Sequence, residues 1–356
     1  MKSLIQPLLA RLRATAVPAG RPKLIDTKAV IERSLRQAGL MPPAADAPAA
    51  ANDASVIEGE FRVVDDAQAD TARTASRPRS APAQPGKSMS SGEFSANGAS
   101  RHYKLFVPMG FEGQRLPLIV MLHGCTQDPE DFARGTRMNV LAQESGAIVL
   151  YPQQAPRSNS SRCWNWFQPG DQLRGAGEPA LLAEMTREVM RSYPVDPDRV
   201  FVAGLSAGGA MAAILGREYP DLYAAIGVHS GLAPGAARDI PSAFAAMKSA
   251  PAANHELPKS PVIVFHGDRD ATVHPQNGES VIGTSGARSS TQGNAGRAFT
   301  RTLIRNTDGS VRAEHWLVDG AGHAWSGGSS EGSYADSLGP DASREMLRFF
   351  LEHPRA

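Results

Sequence analysis

The chain has 356 residues, 41% hydrophobic and 21% charged, an ordinary globular composition long enough for one large domain and an appendage. Its 37 Lys and Arg offset 36 Asp and Glu, for a formal net charge of +1, so no electrostatic case exists for a nucleic-acid or membrane-surface partner. No apolar run approaches the roughly 20 residues that a membrane helix needs.

At the amino terminus, "SLIQPLLA" is interrupted by Gln6 and Pro7 and followed by Arg11 and Arg13. A secretory signal wants about 7 to 15 unbroken apolar residues, so this segment reads as a short amphipathic helix. "KAVIERSLRQAGLM" carries a helical pattern in Val30, Ile31, Leu35 and Leu40. From Pro42 to about Ser100 the chain is rich in Ala, Pro, Ser and Asp. Such segments cannot bury enough apolar surface to offset their ordering entropy. Residues 1–95 are therefore expected to form a largely disordered extension, with "VIEGEFRVV" as a short strand or docking segment, and residues 96–356 the catalytic domain.

From Arg101 the pattern changes. "RHYKLFVP" alternates as an edge strand does, and "LPLIVMLHG" and "GAIVLYPQ" are continuous apolar runs, as in strands buried on both faces. "EPALLAEMTREVMRSY" puts Leu181, Leu182, Met185 and Val189 on one helical face. "RVFVAG", "YAAIGVHSG", "SPVIVFHGD" and "AEHWLVDG" follow, each short, apolar and closed by Gly or a polar residue. The last helix, "DASREMLRFFLEH", has a stripe of Met346, Phe349 and Phe350. Strands alternating with helices predict an α/β fold with a mostly parallel central sheet and helices on both faces. Ligands bind such sheets beyond the carboxyl ends of the strands.

Ser206 stands at one such end, in "FVAGLSAGGAM". A nucleophile on a strand-to-helix elbow is strained and needs small flanks, which Gly204 and Gly208 provide. A plain turn of small residues is the simpler reading of these five positions. Its base is sought among the histidines. His323, in "VDGAGHAWSGG", follows a strand on a Gly-rich loop. His266 ends "VIVFHGD" beside acids, which suits a structural role, and His229 reads as a hydrogen-bonded rim residue. The acid comes from "FHGDRDATVHP": Asp270 fits the turn after its strand, while Asp268 reads as a turn cap. The order Ser206, Asp270, His323 is that of α/β-hydrolases, not of the two protease arrangements. The oxyanion donors are expected to be the backbone N–H groups of Ala207 and, from the loop "MLHGCTQD", of Cys125. Trp164 and Trp325 flank these loops and suit an acyl chain or a polymer strand; Trp166 fits this role less well. Gln127 and His123 complete the expected substrate contacts.

The motifs "LHGCTQ", "RCWNWF", "GLSAGGAMA", "FHGDRDATV", "GAGHAWSGG" and "GPDASREMLRFF" resemble the polyhydroxybutyrate depolymerase-type esterases. These are α/β-hydrolases related to feruloyl and acetylxylan esterases. The resemblance covers about Ser100 to Pro354 and implies a Ser-His-Asp esterase without metal or organic cofactor. Substrate does not follow from the resemblance. The aromatic and amide-bearing loops ("CWNWF", Gln127), with no cluster of basic residues, favour neutral, moderately apolar esters: short hydroxyalkanoate esters or oligomers first, with feruloyl or acetylxylan esters as the alternative. A catalytically silent binding protein on the same fold is the reading from another class. The resemblance also favours a bridge between Cys125 and Cys163, hence an oxidising, extracellular or periplasmic location, although the family's usual export signal is not evident. The chain is expected to act as a monomer.

Overall fold

The computed structural model describes residues 89–96, 98–249, 258–283 and 285–355. The amphipathic segment, the helical pattern near Val30 and "VIEGEFRVV" lie outside the described residues.

Ten strands form one sheet. In chain order they are β1 (Ser90–Ala96), β2 (Ala99–Phe106), β3 (Leu116–Leu122), β4 (Ile148–Pro152), β5 (Val195–Leu205), β6 (Ala225–His229), β7 (Val262–Gly267), β8 (Ala287–Ala295), β9 (Arg297–Arg305) and β10 (Val311–Val318). Their spatial order is β1-β2-β4-β3-β5-β6-β7-β10-β9-β8. Neighbours from β4 to β10 pair in parallel. The outer strands β1, β2, β9 and β8 pair antiparallel. Two short strands, β11 (Trp325–Ser326) and β12 (Ala335–Asp336), pair separately.

The helices are α1 (Pro129–Thr136), α2 (Met138–Ser145), α3 (Gly177–Ser192), α4 (Ala207–Glu218), α5 (Ile240–Lys248), α6 (Gln276–Ile282) and α7 (Ala342–Glu352). Side chains alternate across a strand, so β3 sends Leu118, Val120 and Leu122 to one core and Ile119 and Met121 to the other. The first core takes Leu182, Met185 and Val189 of α3 and Met211 and Ile214 of α4. The second takes Leu141 of α2 and Met346, Phe349 and Phe350 of α7. Phe350 stacks on Phe201 of β5 at 5.0 Å. This is the expected α/β architecture, covered on both faces. Among the described residues no helix is long and apolar enough to cross a membrane.

The sheet begins earlier than the composition suggests. β1 takes in Ser90–Ala96, most of it assigned above to the extension. It is a polar edge strand held by backbone pairing to β2 from Ser90↔Leu105 to Ala96↔Ala99, and backbone pairing leaves no mark in composition. The β8–β9 hairpin was also not anticipated, because nearly all of β8 is exposed and carries no apolar alternation.

Candidate active site

Ser206 lies between the end of β5 and the start of α4, with φ 58° and ψ −120°. A non-glycine residue there costs about 1–3 kcal/mol, and the surroundings hold it. The Ser206 N–H donates to the His229 carbonyl at 2.9 Å, and its own carbonyl accepts from Ala210 N–H at 2.9 Å. The flanking glycines are required by close approach. A Cβ on Gly204 would lie 2.4 Å from the Gly208 carbonyl, and one on Gly208 would lie 2.1 Å from the Leu122 carbonyl oxygen.

Asp270 follows β7 and is 5% exposed. One carboxylate oxygen accepts the N–H groups of Thr272 at 2.9 Å and Val273 at 2.8 Å. The other accepts from His323 Nδ1 at 2.7 Å. Burial pushes this carboxyl up, but the charge of His323 and hydrogen bonds from His266 and His323 outweigh it and hold Asp270 well below the usual carboxylate range. A carboxylate only accepts, so His323 carries hydrogen on Nδ1 and leaves Nε2 free to take a proton. Asp268 caps a turn instead, accepting from Gly320 N–H at 2.6 Å. His323 and Ser206 line one small cavity with Gly124, Cys125, Leu205 and Tyr334.

Ala207 is the first residue of α4, so its N–H has no carbonyl to bind within the helix. Cys125 borders the same cavity and is bonded to Cys163. Among the described residues no group of three or more His, Cys, Asp or Glu is gathered as a metal ion would need.

A second, apolar cavity of about 60 Å³ opens beside Ser206 and Ala207. The disulfide, Trp166 and Phe167 form one wall. Ile240, Ala243, Phe244 and Met247 of α5 also line the cavity, with Leu232, Thr272 and Val273. The α5 positions follow i, i+3, i+4, i+7 spacing, capped by Asp239. That stripe in "DIPSAFAAMKSA" is the sequence signal for these lining residues.

Four expected substrate contacts are structural instead. Trp164 is fully buried, and its indole N–H donates to the His123 carbonyl at 3.1 Å. Trp325 is 1% exposed, donates to Ser343 Oγ at 3.0 Å and stacks on His229 at 5.1 Å. Both indoles are satisfied and covered inside the protein, so neither reaches a ligand. Trp166 lines the cavity in their place. Gln127 is buried: its carbonyl accepts from Gly124 N–H at 2.9 Å, and its amide donates to Asp131 and Ser333. His123 is also buried, and burial pushes it down to about 4. It donates from Nδ1 to the Gly124 carbonyl at 2.7 Å and accepts at Nε2 from Gln154 N–H at 3.1 Å. Both residues shape the Gly124–Cys125 loop. His229 is hydrogen-bonded as expected, accepting from Ser326 N–H at 2.9 Å, but it is buried and not at the rim.

The aromatic wall has its own support. Glu178 accepts from Asn165 N–H at 2.7 Å and faces Arg101 at 3.3 Å. Burial, then the nearby Asp171, push this carboxyl up to about 7 against the pull of Gln154, Asn165 and Arg101.

The family model described as Esterase PHB depolymerase matches residues 101–286, just over half of the chain. The poly(3-hydroxyalkanoate) depolymerase C of Paucimonas lemoignei is 32% identical over 240 residues, 61% of this chain and 56% of that protein. The poly(3-hydroxybutyrate) depolymerase of Ralstonia pickettii is 30% identical over 241 residues, 60% of this chain and 48% of that protein. The chain thus spans about half the length of the curated relatives it matches. Among solved structures, an acetyl xylan esterase from Aspergillus awamori is similar in fold. It has a TM-score of 0.55 and 21% identity, and the match covers 66% of this chain and 94% of that one. The fold is that of the α/β-hydrolases, and the chain belongs to the esterase PHB depolymerase family.

Proposed function

We propose that the chain is a serine ester hydrolase acting through Ser206, His323 and Asp270. The carrying observation is the 2.7 Å contact between His323 Nδ1 and Asp270, beside a cavity shared by His323 and the strained Ser206. His323 takes the Ser206 proton at Nε2 as the hydroxyl attacks the ester carbonyl. The N–H groups of Ala207 and Cys125 receive the developing oxyanion. His323 then protonates the leaving alkoxide, and water attacks the acyl-enzyme with the same base.

The two cavities divide the substrate. The leaving group must lie by His323, which protonates it, and His323 borders the small cavity with Tyr334. The acyl part therefore occupies the apolar cavity under α5. Its volume of about 60 Å³ admits roughly four to six water-sized groups. That size and apolarity suit the acyl unit of a short hydroxyalkanoate ester, the substrate class in the names of the Paucimonas and Ralstonia relatives. The Cys125–Cys163 bond supports an extracellular or periplasmic setting.

The test is a side-by-side assay of hydroxybutyrate oligomers, methyl ferulate, acetylated xylan and polymer film. The proposal expects the oligomers to be cleaved fastest. Acetylxylan is the second reading, favoured by a probable acetylxylan esterase A of Aspergillus clavatus that is 28% identical over 180 residues. Dominant activity on acetylxylan or ferulate overturns the hydroxyalkanoate assignment and leaves the triad standing.

A further inference from the structure

His266 ends β7 and is fully buried. Its Nε2 faces the Val273 carbonyl at 2.8 Å and Asp270 Oδ2 at 3.5 Å. Both partners only accept, so Nε2 carries hydrogen, and in the neutral ring Nδ1 carries a lone pair. His315 on β10 is 3% exposed and presents Nδ1 to Glu279 Oε1 at 3.0 Å. By the same reasoning its Nε2 carries a lone pair. Among the described residues neither His266 Nδ1 nor His315 Nε2 has a hydrogen-bond partner. The two atoms border one space: a Cβ on Gly278 would lie 3.1 Å from the first and 2.8 Å from the second.

Two buried acceptors side by side call for a donor. A proton shared by the two rings would supply it, because a protonated imidazole donates from both nitrogens. It would lie between two carboxylates, Asp270 inside and the half-exposed Glu279 outside. Arg288 faces Glu279 from solvent at 3.2 Å. Of the remaining titratable neighbours, His229 on β6 is pushed down by burial to about 3 and adds no charge. Lys248 of α5 and His274 on the loop after Asp270 are exposed.

We propose that His266 and His315 hold one proton as a pair, and that His266 is a positioning residue for the triad acid. It anchors the turn from Asp270 to Val273 and draws on the Asp270 charge that otherwise acts on His323. This rests on reading Asp270 and His323 as the acid and base of the site. Charge drawn toward His266 leaves less to stabilise an imidazolium at His323. His323 therefore stays neutral, and able to take the Ser206 proton, down to lower pH.

The test uses the full chain labelled with ¹⁵N-histidine, with imidazole titration by NMR beside the pH profile of kcat/KM. His315→Phe and Glu279→Gln each weaken the pair's hold on its proton. Both are expected to move the His323 titration, and the acid limb of kcat/KM, upward by about half a pH unit or more. The sign is diagnostic, because deleting the Glu279 charge alone acts on His323 in the opposite direction. His266→Gln, which keeps a side-chain donor, is expected to retain turnover that His266→Leu loses through kcat rather than KM. An unmoved or lowered His323 titration in Glu279→Gln, a surface change that leaves the core intact, overturns the proposal. The NMR reading needs no turnover. A chain that titrates as expected but cleaves no ester refutes the proposed function and leaves the pair standing.

Discussion

Asp270 and His323 lie 53 residues apart in the chain and meet at 2.7 Å, both at least 95% buried. The carboxylate fixes the imidazole with hydrogen on Nδ1, the tautomer that a base for Ser206 requires. Asp270→Asn offers an N–H where an acceptor is needed. Its expected loss in kcat is on the order of 10³–10⁴-fold. Asp268→Asn keeps an amide oxygen that accepts from Gly320 N–H and is expected to lose far less. Steady-state kinetics of the two variants on one ester decide between the acids, and a larger loss in Asp268→Asn contradicts the assignment.

Phe244 stands in the α5 wall of the apolar cavity. Phe244→Ala lengthens that cavity without touching the triad. The ratio of kcat/KM for octanoate over acetate esters is expected to rise about tenfold. A series of p-nitrophenyl esters with growing acyl chains measures it. An unchanged chain-length preference places the acyl group elsewhere.

The Cys125–Cys163 bond closes a sequence separation of 38 residues. Its removal in a Cys125→Ser, Cys163→Ser double variant is expected to cost about 4 kcal/mol of stability, read by urea unfolding. Both cysteines also line the apolar cavity beside Ser206, so turnover is expected to fall at temperatures where the variant is still folded. Full activity in the folded variant separates the bond from the site.

His123 is buried and neutral, pushed down to about 4. The unfolded chain takes up this proton near the reference value of about 6.5, and the folded chain does so only near 4. Stability is therefore lost as pH falls through this window, on the order of 3 kcal/mol for this residue. It is fully present above about 6.5. His123→Gln, which keeps an acceptor for Gln154 N–H, is expected to flatten the dependence of unfolding free energy between pH 7 and pH 4. An equally steep dependence in the variant shows that other groups carry it.

The sheet was legible in the sequence because its parallel strands are buried on both faces and read as apolar runs, as in "LPLIVMLHG". The residues of the proposed site are legible where chemistry restricts the choice. Ser206 needs glycine on both sides, and a turn after β7 offers only two acids. What escaped was decided by packing. Nothing in "CWNWF" tells which indole turns inward, and Trp164 does so because the His123 carbonyl waits for its N–H. Trp325 was misread for the same reason: its partner Ser343 is 18 residues away on α7. Gln127 and His123 are polar residues beside a site, and only their hydrogen bonds reveal that they are spent on the loop itself. β1 and the β8–β9 hairpin escaped because polar edge strands are specified by pairing partners and not by their own pattern.

The most direct measurement is ester hydrolysis by purified Ser206→Ala beside the unaltered chain, with circular dichroism and Tm to establish that both are folded. The account predicts that the unaltered chain cleaves a short-chain ester and that the variant, folded and still binding the ester, loses at least about 10³-fold in kcat. Undiminished turnover in the folded variant would contradict it.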